Sequence, residues 1–204
     1  MTPDLALALD EAEVLKVRRT WAFSRDLGDW ERLRACFHPE ATITVAWYSG
    51  PAEGFVERSQ AMRGTLRPEE HHKHWLGNMR AEINGTRAVA ETDAMVLIRE
   101  FLDGHLFDYC CWLRFYDLLE KRDGVWRLVK ASCIYEKDRY DPVVPGAVPP
   151  SFYEQITLAG SEAGFAFMRF RQIKKGRAVP AAIVIAGTPQ EDALREEGQT
   201  WLAS

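Results

Sequence analysis

The spacing of apolar positions changes partway along this chain. Over residues 10–27, Val14, Val17, Trp21 and Phe23 recur at near-helical spacing between charged side chains. That spacing predicts an amphipathic helix, broken by Gly28 and Asp29. "DWERLRACF" follows as a short second helix with Asp29 at the N-cap position. β-branched residues crowd "ATITVAW" (41–47), which predicts a strand, and "PAEGFVERSQAMRGTL" (51–66) predicts a helix opened by a proline. Farther on, residues 75–83, 86–102, 105–121 and 125–136 read as strands, separated by Asn84-Gly85, Asp103-Gly104 and Asp123-Gly124. Such dipeptides accept the positive φ angles of two-residue hairpin turns, so three in succession predict a four-stranded antiparallel meander. Strands of roughly 15 residues must bend or bulge rather than lie flat.

Helices segregated from an antiparallel sheet make an α+β domain. A strongly curved sheet with helices across its concave side forms a cone, and the open end of a cone is a natural small-molecule pocket. The domain is expected over residues 1–140. From Asp141 onward "DPVVPGAVPP" reads as an extended linker, and 151–174 and 190–202 read as helices of a C-terminal extension, 141–204. This extension has too little apolar material for a core of its own. Its aromatics, Phe152, Phe165, Phe167 and Phe170 among them, are expected to pack on the domain, on a neighbouring subunit or at the pocket mouth.

Composition narrows the function classes. A formal charge of −4 leaves no basic surplus for a phosphate backbone, which argues against nucleic acid as a partner. No apolar run approaches the roughly 18–20 residues that span a bilayer, and "MTPDLALALDEAEVLK" lacks the basic start of a signal peptide. Cys36, Cys110, Cys111 and Cys133 show no zinc-like spacing and fit free thiols in a reducing cytoplasm.

No P-loop, GxGxxG, GxSxG or HExxH is present, which leaves histidines and carboxylates as the candidate chemistry. "HHKHW" (71–75) holds three of the five histidines. In an extended segment His72 and His74 share one face and His71 takes the other. A catalytic metal needs a third protein ligand, and no second cluster supplies one. His74 opens an apolar strand, and His71 and His72 read as solvated. A histidine at the rim of a sheet suits acid–base work if a carboxylate orients it. Asp26 is the candidate partner: it lies near the end of the first helix, where a negative charge opposes the helix dipole.

"WAFSRDLGDWERLRACFHPEATITV", "HWLGNMRAEI" and "LLEKRDGVWRLVKASCIYEKDR" resemble, in order, the opening helices, the His-bearing strand and the last hairpin of SnoaL-like proteins in the nuclear transport factor 2-like (NTF2-like) superfamily. The resemblance covers residues 10–140. Scytalone dehydratase and hexachlorocyclohexane dehydrochlorinase resemble it as catalytic relatives. In them an Asp at the end of the first helix orients a His that serves as general base, and Asp26 and His74 fall on those two positions. The tyrosine that precedes the Asp in the fungal dehydratase is Arg25 here, and that enzyme's second pocket histidine has no counterpart. Trp21 and Ala131 stand where the dehydrochlorinase has its assisting Lys and Arg.

Strand alternation places Tyr109, Cys111, Leu113 and Phe115 on one face, Ala131, Cys133 and Tyr135 on another, and Ile43, Val45 and Trp47 on a third. Trp47, Tyr109, Phe115 and Tyr135 are the expected substrate-pocket residues, and a packed core is the alternative for each. The resemblance implies a lyase that needs no cofactor or metal. It would act by dehydration or elimination on a small aromatic or polycyclic substrate, with His74 as base and Asp26 as its partner. Retro-aldol loss of formaldehyde or ketone isomerisation would use the same base. A non-catalytic module, like the small subunits of ring-hydroxylating dioxygenases, is the other reading. A homo-oligomer, trimer or dimer, and a cytoplasmic location are expected.

Overall fold

In the computed structural model, which describes residues 2–204, a long first helix is wrapped by a curved, mostly antiparallel sheet. Helix α1 spans Pro3–Leu27 and α2 spans Trp30–Ala35. Strands β1 (Phe37–Val45) and β2 (Tyr48–Pro51) lead into α3 (Ala52–Arg63). The meander is β3 (His71–Asn84), β4 (Arg87–Leu102), β5 (His105–Arg122) and β6 (Val125–Pro142). The extension adds α4 (Ala166–Lys174), β7 (Val184–Ile185) and α5 (Pro189–Ala203). The strand order is β2-β1-β6-β5-β4-β3, with β1 parallel to β6. The α+β cone expected from the sequence is therefore the fold observed.

The hairpins follow from local stereochemistry. Leu102 pairs with His105 and Arg122 with Val125, leaving Asp103-Gly104 and Asp123-Gly124 as two-residue loops with both residues at positive φ. The first turn sits one residue later than the sequence suggests. Asn84 pairs with Arg87, so Gly85-Thr86 is the loop. Asn84 stays in the strand because its side-chain amide donates to the Leu202 carbonyl at 2.7 Å, tying it to the end of α5. Bulges between Leu76 and Met79 in β3, and at Glu136 and Val129 in β6, opposite Trp112/Leu113 and Leu118/Leu119 of β5, break the ladders. Each adds local bend and twist, which lets strands this long close around α1.

Both faces of the sheet are covered. The inner face packs Trp21, Leu33, Phe55, Leu113, Phe115 and Leu128 into one apolar cluster. The outer face carries a second cluster of Val89, Tyr116, Leu118, Ile134, Val184 and Leu194, closed by β7 and α5. Gly198 is what lets α5 lie so close: a Cβ there would collide with the Tyr116 hydroxyl. An ion pair crosses the inner core. Arg18 on α1 donates Nε to Asp117 Oδ2 on β5 at 2.8 Å, and its guanidinium lies 4.0 Å from the Phe115 ring centroid.

The extension departs from the single helix predicted over 151–174. Two 3₁₀ turns, Pro150–Tyr153 and Gly160–Phe165, precede the short α4. Gly160 takes φ +59°, which breaks the helical path, and Gly164 lies so close to β6 that a Cβ there would stand only 2.9 Å from the Glu136 carbonyl oxygen. The extension packs on its own domain. Phe165, Met168 and Phe170 join the inner cluster, and Phe152 stacks on Phe107 at 5.0 Å. Strand β7 pairs with Ile134 and Tyr135 of β6, just beyond the last residue that β1 covers, Ser132.

Candidate active site

The end of α1 aims a carboxylate at the edge strand. Gly28 adopts φ +78° and donates its N–H to the Ser24 carbonyl at 2.9 Å, a left-handed cap that ends the helix and leaves Asp26 in its last turn. Arg63 of α3 donates to the Asp26 backbone carbonyl at 2.6 Å. Strand β3 pairs only with β4, so its other edge is free to meet α1. There Asp26 accepts twice from His74: the backbone N–H reaches Oδ2 at 2.8 Å and ring Nδ1 reaches Oδ1 at 2.6 Å. An ionised carboxylate can only accept, so Nδ1 carries a proton, and in the neutral ring Nε2 is the nitrogen with the lone pair. Both side chains are largely buried, 13% and 9% exposed, which weakens solvent screening of the pair. Trp21 packs its edge against the His74 ring at 5.2 Å.

His74 lines a narrow cavity of about 70 Å³ that opens to solvent. Trp21, Phe55 and Trp47 form one wall as a stacked series, with centroids 5.8 and 5.3 Å apart. Leu113, Phe115, Cys133 and Tyr135 form the opposite wall, as strand alternation indicates. Burial pushes the Cys133 thiol up to about 12 and the Tyr135 phenol upward, so both stay protonated. Of the four pocket residues read from the sequence, Trp47, Phe115 and Tyr135 lie on the cavity wall.

Tyr109 does not line the cavity. It points to the same face but lies farther along β5, where α4 covers the sheet. Its hydroxyl donates to Asp138 at 3.2 Å, and the same carboxylate accepts the Phe167 and Met168 backbone N–H groups that open α4. Ile43 and Ala131 are likewise buried beneath the wall.

His72 corrects the expectation of a solvated side chain. Two residues from His74 on the same strand face, it lines the cavity, whereas His71 is exposed on the other face. Burial, and then the charges of Arg171 and Arg25, push the His72 imidazole down to about 3, which leaves it neutral at physiological pH. Among the described residues no three His, Cys, Asp or Glu side chains converge as a metal site.

The extension supplies residues that no motif or periodicity could assign. Met168, Arg171 and Arg177 line the cavity beside Arg25 of α1. Arg171 is buried against Glu100, with its second nitrogen at 2.7 Å, and Lys175 approaches the same carboxylate at 2.8 Å. Burial alone would raise the Glu100 carboxyl, but the two cations outweigh it and hold it at about 2.

A curved sheet closed around a helix is the architecture of NTF2-like proteins. Within that class the chain belongs to the SnoaL-like domain family, whose model matches residues 6–132. It is 28% identical over 207 residues to a PEP2-like protein of Fusarium vanettenii, covering 96% of this chain and 87% of that one. It is 27% identical to scytalone dehydratase of Colletotrichum orbiculare over 138 residues, 59% of this chain and 70% of the other. The crystal structure of a type 3 hexachlorocyclohexane dehydrochlorinase from Novosphingobium barchaimii shares the fold. Its TM-score is 0.52 at 20% identity, over 72% of this chain and 99% of that one. No helix among the described residues is long and apolar enough to cross a membrane.

Proposed function

We propose that this protein is a cofactor-independent lyase of the dehydratase or elimination type, acting on a small aromatic or polycyclic substrate. One observation carries the reading: Asp26 fixes His74 at two points, ring and backbone, and so leaves Nε2 as a base at the wall of an apolar cavity. Nε2 takes a proton from a carbon beside a carbonyl. The electron pair moves to form the new double bond and expels a β-hydroxyl, which leaves as water with a proton returned from the imidazolium. Asp26 holds the tautomer and stabilises the imidazolium while it exists. The neutral Tyr135 phenol can donate to the substrate carbonyl, and Trp47 and Phe115 flank an aromatic ring. Retro-aldol cleavage or ketone isomerisation would start from the same proton transfer. Residues 1–140 carry the base, and the extension completes the wall. A cytoplasmic homo-oligomer, trimer or dimer, belongs to the same reading.

A binding module without turnover is favoured by one feature. The Asp26 carboxylate also satisfies the His74 backbone N–H, a purely structural task. Mutagenesis separates the two readings. On aromatic β-hydroxyketones, His74→Ala and Asp26→Asn should each lower kcat/KM by roughly 10²–10⁴-fold, with the fold intact by circular dichroism and no effect of EDTA. Turnover that survives His74→Ala would sink the mechanism.

A further inference from the structure

The cavity is apolar along its aromatic walls but cationic at the end away from Trp47. Arg25, Arg171 and Arg177 all line it, and an adjoining vestibule shares His72, Arg171 and Arg177 and adds Arg67 and Lys175. Besides Asp26, two carboxylates lie in this vicinity among the described residues. Glu70 is engaged by the Arg67 and Phe101 backbone N–H groups. Glu100 is taken by Arg171 and Lys175. Arg25 and Arg177 remain. Arg25 is only 7% exposed, yet among the described residues its guanidinium makes no hydrogen bond or ion pair; the Trp30 ring lies 6.0 Å away, and the charges beside it are Arg63 and Asp26, the latter already bound to His74. Arg177, half-buried at the mouth, likewise has no carboxylate partner among the described residues. Neither guanidinium is committed to a hydrogen-bonded carboxylate, so an anionic group in the cavity would meet two free forks of donors. Arg25 also stands where the fungal dehydratase has a tyrosine, so a permanent cation replaces a neutral phenol beside the base.

We propose that Arg25 and Arg177 form an anion subsite, and that the substrate carries a carboxylate which they bind while its ring lies along the Trp21–Phe55–Trp47 wall. The C-terminal extension is thereby a specificity element, because it delivers Arg177. A planar guanidinium recognises a carboxylate through two parallel hydrogen bonds, a geometry that a neutral amide cannot reproduce. His72, neutral and lining the same cavity near Arg25 and Arg171, adds a ring nitrogen without adding a competing charge. This inference deepens the lyase reading and rests on it for the assignment of the cavity as a substrate site.

Binding without turnover tests it. Trp21 and Trp47 line the cavity, so their fluorescence reports occupancy. Titration with 1-naphthoate and with the neutral isostere 1-naphthamide should show the acid binding roughly tenfold or more tighter. Arg177→Gln should abolish that preference, and Arg25→Gln should do the same. Arg177 is not in the core, so its variant decides the matter if Arg25→Gln fails to fold. His74→Ala should keep the preference. Retained preference in an enzyme without lyase activity would therefore separate failure of the base from failure of the subsite. Equal binding of acid and amide, no binding of either up to millimolar concentration, or an unchanged preference in Arg177→Gln would overturn the proposal.

Discussion

Asp26 serves two partners through one carboxylate, and the consequences divide between chemistry and stability. Asn at this position keeps one oxygen to accept the His74 N–H, but presents an amide where the ring needs an acceptor. Asp26→Asn should therefore cost only about 1–2 kcal/mol in denaturant unfolding. The ¹⁵N shifts of the His74 ring should move away from the Nδ1–H tautomer, and unchanged shifts would mean that the contact does not set the tautomer. His72 makes a separate claim. Its imidazole is pushed from 6.5 to about 3 in the folded protein, so between those values the unfolded chain holds a proton that the fold refuses. Stability should fall as pH drops below 6.5, with a slope of up to about 1.4 kcal/mol per pH unit, and His72→Phe should flatten that part of the curve. An identical slope in the variant would place His72 in water. The strand period put His72 beside His74. Local polarity, "PEEHHKH", pointed to solvent, because it carries no trace of the distant arginines that close the cavity over it.

At the scale of elements, α1 is pinned to the sheet by charge as well as by apolar contact. Arg18 and Asp117 are both fully buried, and Arg18 is sandwiched within 4.6 Å of Trp21 and 4.0 Å of Phe115, two cavity residues. Removing Asp117 leaves the guanidinium buried and unpaired. Asp117→Ala should cost about 3–5 kcal/mol, while Arg18→Met combined with Asp117→Leu should cost far less, because paired apolar replacements relieve desolvation. Equal losses in the single and double variants would show that packing, not charge, sets the cost. The elements themselves were largely legible, since β-branched runs and Asp-Gly turns act locally. The strand read over 41–47 ends at Val45 in a local turn into β2, but two other misplaced bounds were set from a distance. Asn84 is held in β3 by α5, and the bent segment 151–165 packs Gly164 against the backbone of β6. Alternation identified the pocket face of β5 but not how far along it the cavity extends, because α4, which ends it at Tyr109, comes from a segment with no strand or motif signal.

For the whole molecule, the extension ties the two faces of the sheet together, crossing the rim with α4 and reaching the outer face with α5. Its latch at the rim is ionic. Glu100, 1% exposed, takes Arg171 and Lys175 from the extension and accepts the Tyr140 hydroxyl at 3.2 Å. The folded protein holds this carboxyl at about 2 against 4.5 when free, so its contribution is complete above 4.5 and disappears as pH falls toward 2. Asp138, which caps α4, has the opposite sign. Burial raises it from 3.8 to about 6 despite its hydrogen bonds, so its contribution is greatest below 3.8 and is lost as pH rises through 6. Acid thus weakens one anchor of the extension while strengthening the other. Glu100→Gln isolates the first. At neutral pH it should lower stability by about 3–5 kcal/mol, because Arg171 stays buried without its counter-charge. The gap between wild type and variant should narrow as pH falls from 4.5 toward 2. Urea unfolding across that range is the measurement. A gap that does not change with pH would mean that shape, rather than charge, holds the extension against the cavity it helps to form.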